Sequence, residues 1–218
     1  MLAAMAVGGG EGRLDTAGRR RASRALARRD PVLRSVIRRV GPCRLRRRHG
    51  AYRFLVRSVL YQQLAGAAAA AIEGRLRAAF GGKIPSAEVL REAPEARLRQ
   101  VGLSRQKIAA LHSIAEAFAE GHVRSRSLYR MPDEEVVRTV TTIRGVGEWT
   151  AHMLLMFCLG RGDVLPIGDY GVRKAAWRLY RLDALPGPRE LEGLAEPWRP
   201  YRSVASWYLW RSHDVVTL

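Results

Sequence analysis

The sequence contains few cysteines, few lysines and no long apolar run, and each shortage excludes a class of protein. Its only two cysteines, Cys43 and Cys158, can form neither a disulfide framework nor a zinc quartet. The five histidines show no metal-ligand spacing. No apolar run approaches the roughly 20 residues that a transmembrane helix needs. The sequence therefore predicts no membrane span, no structural metal and no cofactor.

Acidic residues are also scarce relative to basic ones. Lysine and arginine together number 38 against 20 aspartates and glutamates, which gives a formal net charge of +18. Only Lys83, Lys107 and Lys174 are lysines, so nearly all of the positive charge is arginine. A chain this basic generally binds a polyanion, and nucleic acid is the leading candidate.

The N-terminal region is rich in arginine and lacks the charged-then-apolar order of a signal peptide. We therefore expect a cytoplasmic, nucleoid-associated protein. The arginines of residues 14–29 allow two interpretations: a basic arm that contacts nucleic acid, or the solvated face of a helix. The sequence leaves both open.

Apolar residues recur at helical spacing through most of the chain, and no strand pattern of any length is found. The predicted fold class is therefore all-α. At 218 residues the chain can bury a core in one domain or in two small ones. Predicted helices cover 14–29, 31–40, 52–80 with a break at 62–66, two short pieces in 86–103, 104–120, 133–143, 149–159, 169–180 and 201–213. The segments 121–130 and 186–188 are predicted to be a basic connector and a turn.

A glycine pair in Arg144-Gly145-Val146-Gly147 separates two of these helices. Glycines permit a tight reversal and leave no side chain over the backbone. The unpaired N–H groups at the start of the following helix can bind an anion. In so basic a chain the predicted anion is a DNA phosphate, although an ordinary corner between two helices is the alternative that these residues alone allow.

Four motifs occur in an order that resembles a known family. They are IRGVGEWTA at 143–151 with DYGVRKA at 169–175, RFLVRSVLYQQ at 53–63, Gly102-Leu103-Ser104 with Lys107, and WRPYRS at 198–203 with Trp210 beyond. Together they resemble the helix-hairpin-helix DNA glycosylase superfamily, and most closely its 3-methyladenine DNA glycosylase II type, which removes alkylated purines. The resemblance extends over roughly residues 30 to 213.

The resemblance implies an architecture. We expect a two-lobed helix-hairpin-helix glycosylase fold with an interlobe cleft and without the strand-rich N-terminal domain of some relatives. Residues 1–13 are predicted to be a flexible tail, and residues 14–54 with 161–218 to form one helical lobe. Residues 55–160 are predicted to form a helical bundle that contains the helix-hairpin-helix at 133–160.

Asp169 and Trp149 are the residues most closely tied to chemistry. By its local sequence Asp169 is an ordinary helix N-cap, and the resemblance implies that it is also the catalytic acid. Its carboxylate either stabilises the positive charge that develops at the sugar C1′ or orients the attacking water. Trp149 stands where the lyase-competent members carry a nucleophilic lysine, so no Schiff base can form by that route. An indole there either stacks on a cationic purine or packs behind the hairpin as a core residue.

The resemblance also implies the remaining site residues. The predicted base-pocket residues are Trp149, Trp210, Gln62, Met153 and Tyr61. The predicted DNA-binding residues are Gln63, Leu64, Arg144, Gly145, Val146, Gly147, Thr150 and Arg173. Gln63 is favoured over Leu64 as the wedge that fills the gap left by an extruded base. Relatives also hold a monovalent cation on the backbone carbonyls of the hairpin.

The sequence thus predicts a monofunctional DNA glycosylase that excises alkylated purines of the 3-methyladenine and 7-methylguanine type by base flipping and hydrolysis. It is expected to act as a monomer on double-stranded DNA with a damaged base, in base excision repair. Two alternatives stay open. One is a non-catalytic helix-hairpin-helix DNA-binding protein, and the other is a glycosylase of the same fold for oxidised, deaminated or mismatched bases.

Overall fold

The computed structural model describes residues 15–47 and 50–215. All regular structure within these ranges is helical and none of it is strand, which confirms the all-α prediction. The predicted flexible tail lies outside the described residues. No helix in the described ranges is long and apolar enough to cross a membrane.

The chain divides into two compact units, each described by itself. Unit 1 comprises Met1–Arg47 and Gly160–Leu218, and unit 2 comprises Arg48–Leu159. The boundary predicted between 54 and 55 falls inside a helix that runs Ala51–Tyr61. The whole of that helix belongs to unit 2 because its buried face packs against other helices of that unit.

Five helices and one short turn build unit 1. They are α1 (Thr16–Arg29), α2 (Pro31–Val40), α11 (Tyr170–Tyr180), α12 (Pro188–Ala195), a 3₁₀ turn (Glu196–Trp198) and α13 (Arg202–Val215). Helices α1 and α2 each follow an aspartate that caps their first turn. Asp15 accepts the N–H of Gly18 at 2.6 Å, and Asp30, followed by Pro31, accepts the N–H of Leu33 at 2.9 Å.

Asp30 also holds unit 1 together over long sequence distances. The second oxygen of this buried carboxylate, Oδ2, accepts the hydroxyl of Tyr180 at 2.5 Å and the indole N–H of Trp198 at 2.8 Å. Burial, followed by the contact with Asp30, raises the pKa of Tyr180 well above its usual value. A single aspartate thus joins the start of α2, the end of α11 and the turn before α13.

Unit 2 is a helical bundle. Its elements are α3 (Ala51–Tyr61), α4 (Gly66–Ala79), α5 (Ala87–Arg91), α6 (Glu95–Gln100), α7 (Arg105–Ala119), α8 (Ser125–Leu128), α9 (Asp133–Thr141), α10 (Glu148–Leu154) and a π-helical turn (Leu155–Leu159). Helix α3 packs against α4, α7 and α10. Its residues Leu55, Val56, Val59 and Leu60 are completely buried, as the helical spacing of its apolar residues predicts.

Three local predictions differ from the structure. The predicted connector 121–130 contains the one-turn helix α8, and the predicted continuous helix 149–159 changes to a π-helical turn after α10. Helix α12 was missed because Gly187-Pro188 was interpreted only as a turn. The same residues form a helix start, in which Glu190 accepts the N–H of Gly187 at 2.7 Å.

Candidate functional site

The hairpin between α9 and α10 depends on its two glycines for different reasons. Gly145 has a φ of +82°, and a methyl group on it would lie 2.5 Å from the Cβ of Ala110. Gly147 has an ordinary φ of −91°, and no atom lies within 4 Å of the position that its Cβ would take. Only Gly145 is therefore required by the fold, while Gly147 leaves open space at the start of α10.

The start of α10 presents backbone rather than side chains. Its first turn-closing bond runs from the N–H of Ala151 to the carbonyl of Gly147, at 3.0 Å, so the hydrogen-bond ladder of the helix begins at Ala151. Val146 and Thr150, both predicted to bind DNA, have buried side chains. Any contact they make with an anion is therefore limited to the backbone. The side chain of Arg144 is exposed beside them.

A monovalent cation at the hairpin would have to use backbone carbonyls. The Gly145 carbonyl accepts the side-chain amide of Gln62 at 3.1 Å, and the Ile143 carbonyl accepts the N–H of Val146 at 3.0 Å. A carbonyl oxygen has two lone pairs, so each can still take a second partner and the donor set fits a weakly held ion. Among the described residues, no group of three or more His, Cys, Asp or Glu side chains could hold a metal.

The corner between α3 and α4 adjoins this hairpin. Gln62 ends α3 and reaches the hairpin through the bond to Gly145. Gln63, the predicted wedge, has a φ of +55°, and Leu64 is 38% exposed. The ammonium group of Lys107 donates to the carbonyls of Leu60 at 2.7 Å and of Gln62 at 2.9 Å. Burial lowers the pKa of Lys107 below its usual value.

A cavity of about 810 Å³ opens in unit 2 beside this corner. Five of the residues predicted for the base pocket and the wedge line it together: Tyr61, Gln62, Gln63, Trp149 and Met153. The Trp149 side chain is 46% exposed. The alternative in which Trp149 is a core residue is therefore wrong, and its exposed indole lines the cavity.

One wall of the cavity carries charges that the sequence analysis missed. Arg53, Arg57 and Arg77 line it. The buried Glu73 accepts the guanidinium of Arg57 at 3.1 Å and that of Arg77 at 2.6 Å, and also the hydroxyl of Tyr61 at 3.0 Å. Three guanidinium groups against one carboxylate leave this wall positive. The spacing Arg53, Arg57, Tyr61 along α3 was the available signal, because residues four apart share one face of a helix.

Asp169, in unit 1, is the N-cap of α11, as its local sequence predicts. Its Oδ1 accepts the N–H of Val172 and the indole N–H of Trp210, both at 2.8 Å, and the residue is 8% exposed. A Cβ on Gly171 would lie 3.1 Å from both Asp169 Oδ1 and Trp210 Cδ1. Trp210 is predicted to line the base pocket; in the structure its indole N–H fixes the orientation of the Asp169 carboxylate.

Arg173 is the remaining predicted DNA-binding residue. It lies on α11, and its Nε donates to the carbonyl of Pro186 at 2.7 Å. The side chain is therefore anchored to the loop that follows α11, with its guanidinium partly exposed.

Comparisons with known proteins agree on one family. Residues 56–200 match the model of the HhH-GPD superfamily base excision DNA repair proteins. The chain is 31% identical over 197 residues to the alkylbase DNA glycosidase-like protein mag2 of Schizosaccharomyces pombe, covering 88% of this chain and 92% of that protein. It is 36% identical over 167 residues to DNA-3-methyladenine glycosylase 1 of the same yeast, covering 76% and 73%. A similar solved structure is that of the 3-methyladenine DNA glycosylase Mag1 of Schizosaccharomyces pombe in complex with abasic DNA. It superposes with a TM-score of 0.81 at 33% sequence identity, and the match covers 90% of this chain and 98% of that one. The chain therefore belongs to the HhH-GPD superfamily of base excision DNA repair proteins.

Proposed function

We propose that this chain is a monofunctional DNA glycosylase: it flips an alkylated purine out of double-stranded DNA, hydrolyses the N-glycosidic bond and leaves the abasic strand intact. The observation that carries the proposal is Trp149. Its exposed indole lines a cavity that also contains Gln62 and Gln63 and lies next to the hairpin. In the cell we assign this activity to a monomer acting on chromosomal DNA in the cytoplasm.

The relatives support the substrate class. Two similar proteins are named for 3-methyladenine or alkylated bases, and the similar solved structure holds abasic DNA, which is what remains after base removal. Alkylation at the ring nitrogens of a purine leaves the ring positively charged. An electron-rich indole attracts such a ring through its π face, and stacking of this kind contributes roughly 1–3 kcal/mol.

Asp169 supplies the chemistry in this proposal. When the N-glycosidic bond breaks, positive charge develops at the sugar C1′, and a carboxylate nearby stabilises it or orients the water that attacks. The N–H groups of Val172 and Trp210 hold the carboxylate in one orientation. A non-catalytic DNA-binding module has no use for a carboxylate fixed by a tryptophan, which favours the enzyme over that alternative.

The positions of the lysines support the proposed absence of lyase activity. Strand cleavage by these enzymes requires a lysine that forms a Schiff base with the sugar. The chain has Trp149 at the corresponding position, and its three lysines are elsewhere. The amine of Lys107 is bonded to two carbonyls, and that of Lys174 lies 5.8 Å from the ring centre of Tyr170.

A second substrate class is favoured by the positive cavity wall. Only one carboxylate, that of Glu73, opposes the guanidinium groups of Arg53, Arg57 and Arg77, so the wall keeps a net positive charge. Such a wall repels a cationic base and can donate hydrogen bonds to a neutral one that carries acceptor atoms. Neutral lesions such as hypoxanthine or ethenoadenine are therefore the alternative substrates.

The test uses duplex oligonucleotides with one 7-methylguanine, 3-methyladenine, hypoxanthine, ethenoadenine or 8-oxoguanine. We expect release of the alkylated purines, with strand cleavage only after alkali is added. Strand cleavage without alkali, or a protein–DNA adduct trapped by borohydride, contradicts the monofunctional assignment. Faster release of hypoxanthine or ethenoadenine than of either methylated purine selects the second substrate class. DNA binding with no release from any duplex selects the non-catalytic module.

A further inference from the structure

Lys107 makes a contact that neither the hairpin nor the cavity requires. It lies on α7, and its ammonium group donates to the carbonyls of Leu60 and Gln62, which are 47 and 45 positions away in sequence. These carbonyls lie at the end of α3, where a helix has no further N–H groups to offer them. A lysine that only neutralised charge on the surface would keep its ammonium group in water. Burial lowers the pKa of Lys107, so the contact is made at a desolvation cost.

The bonded carbonyls belong to a corner with unusual backbone geometry. Gln63 has a φ of +55°, a left-handed conformation that is unfavourable for any residue with a side chain. Such a conformation persists only where the surroundings impose it. The carbonyl of Gln62 belongs to the peptide bond between Gln62 and Gln63, so the hydrogen bond from Lys107 holds the peptide that precedes the left-handed residue.

The same helix also supports the hairpin. Ala110 packs beneath Gly145 so closely that no side chain fits between them, and the hydroxyl of Ser113 accepts the N–H of Arg144 at 3.2 Å. Lys107, Ala110 and Ser113 follow one another at intervals of three residues along α7. The corner and the hairpin therefore rest on one helix, and they are also joined directly by the Gln62–Gly145 bond.

We propose that Lys107 is a positioning residue of the glycosylase reaction, holding the corner at residues 62–64 in the conformation that fills the duplex where a base has been extruded. The inference rests on the proposed function. Lys107 acts through Gln62 and Gln63. Extruding a base from the duplex costs less free energy when the base has no pairing partner. The need for a rigid corner is therefore greatest for a lesion with a pairing partner and smallest for a lesion opposite an abasic site.

The experiment compares Lys107→Met with Lys107→Arg, using Lys83→Met as the matched control because Lys83 is an exposed lysine of the same unit. Single-turnover base release is measured for 7-methylguanine opposite cytosine and opposite an abasic-site analogue. We expect Lys107→Met to slow release from the paired duplex by about tenfold or more, the effect of losing a charged hydrogen bond. Release from the unpaired duplex should change much less, Lys107→Arg should recover part of the loss, and Lys83→Met should match the parent protein.

An equal loss on both duplexes identifies a merely structural lysine and overturns the proposal, as does an unchanged rate on both. If Lys107→Met does not fold, the same ratio for Lys107→Arg decides in the same way. A second readout needs no catalysis: Lys107→Met should lose the preference of the protein for a duplex with an abasic-site analogue over an intact duplex. A retained preference overturns the proposal. Absence of base release by the parent protein would count against the proposed function, whereas the binding comparison would still test the role of Lys107.

Discussion

At the scale of single residues, the Asp169 side chain has a structural task and, in the proposed function, a chemical one as well. Its Oδ1 closes the first turn of α11 and accepts the Trp210 indole N–H. An asparagine can cap a helix as well as an aspartate, and it keeps a carbonyl oxygen for the same two donors. Replacement of the carboxylate by an amide therefore removes the negative charge while the fold is kept.

Asp169→Asn should retain the thermal stability and the DNA affinity of the parent protein and lose turnover by about 10²–10³-fold, the effect of removing one electrostatic group from an active site. Single-turnover base release and binding to lesion-containing duplex measure the two quantities. Asp183→Asn, which changes an exposed aspartate of the same unit by the same group, is the control and should behave like the parent. Near-normal turnover in Asp169→Asn would remove this residue from the mechanism.

Single residues also show which contacts can be predicted from the sequence and which cannot. The capping role of Asp169 follows from local pattern, because an N-cap needs only its own turn. Its bond to Trp210 joins residues 41 positions apart and depends on how α11 packs on α13, which no local pattern contains. The contacts of Lys107 have the same origin. Its motif was recognised, yet the two carbonyls that it binds come from another helix.

At the scale of elements, the two glycines of the hairpin differ in backbone φ and in the space available for a side chain. Gly145→Ala combines a left-handed φ with a methyl group forced against Ala110. We expect it to lower the free energy of unfolding by about 2 kcal/mol or more, from backbone strain and overpacking together. Gly147→Ala is the matched control, with an ordinary φ and open space. Denaturant unfolding measures both, and equal stability of the two variants would contradict the assignment of the strain to position 145.

The elements themselves were largely predictable, because apolar spacing and capping residues act within one helix. The π-helical turn at Leu155–Leu159 was not, since its apolar residues fit an α-helix equally well. Helix α12 was predictable in principle: Gly187, Pro188 and Glu190 are an N-cap, a first-turn proline and the third residue of a capping box. Because Gly187 and Pro188 were interpreted as a turn, the capping role of Glu190 was missed.

At the scale of the whole molecule, the excess positive charge predicts a steep dependence of DNA binding on salt. Helix α1 carries exposed arginines at positions 20, 21, 24 and 28, which fall on one side of the helix. The first turn of the helix contains no acidic residue. This arrangement fits both interpretations of the N-terminal arginines, a contact with DNA and a solvated face. The salt dependence separates them because each phosphate contact releases counterions.

Triple substitution of Arg20, Arg24 and Arg28 by glutamine should reduce the slope of log affinity against log salt by roughly 2.7, at about 0.9 for each phosphate contact. Base release from saturated DNA should stay unchanged. The control removes the same charge from exposed arginines of unit 2, namely Arg91, Arg99 and Arg126. If both triple variants change the slope equally, α1 is a solvated face and only the net charge matters.

Gly171 has a consequence for protein engineering. Exchanging helical glycine for alanine is a standard route to heat resistance, since alanine is favoured in helices by about 1 kcal/mol. Gly74, with open space at its Cβ, should accept the exchange and raise the melting temperature. At position 171 the methyl would press on Asp169 and Trp210 and displace one of them by a few tenths of an ångström. Thermostable variants should therefore retain this glycine, because its exchange would disturb the carboxylate on which the proposed reaction depends.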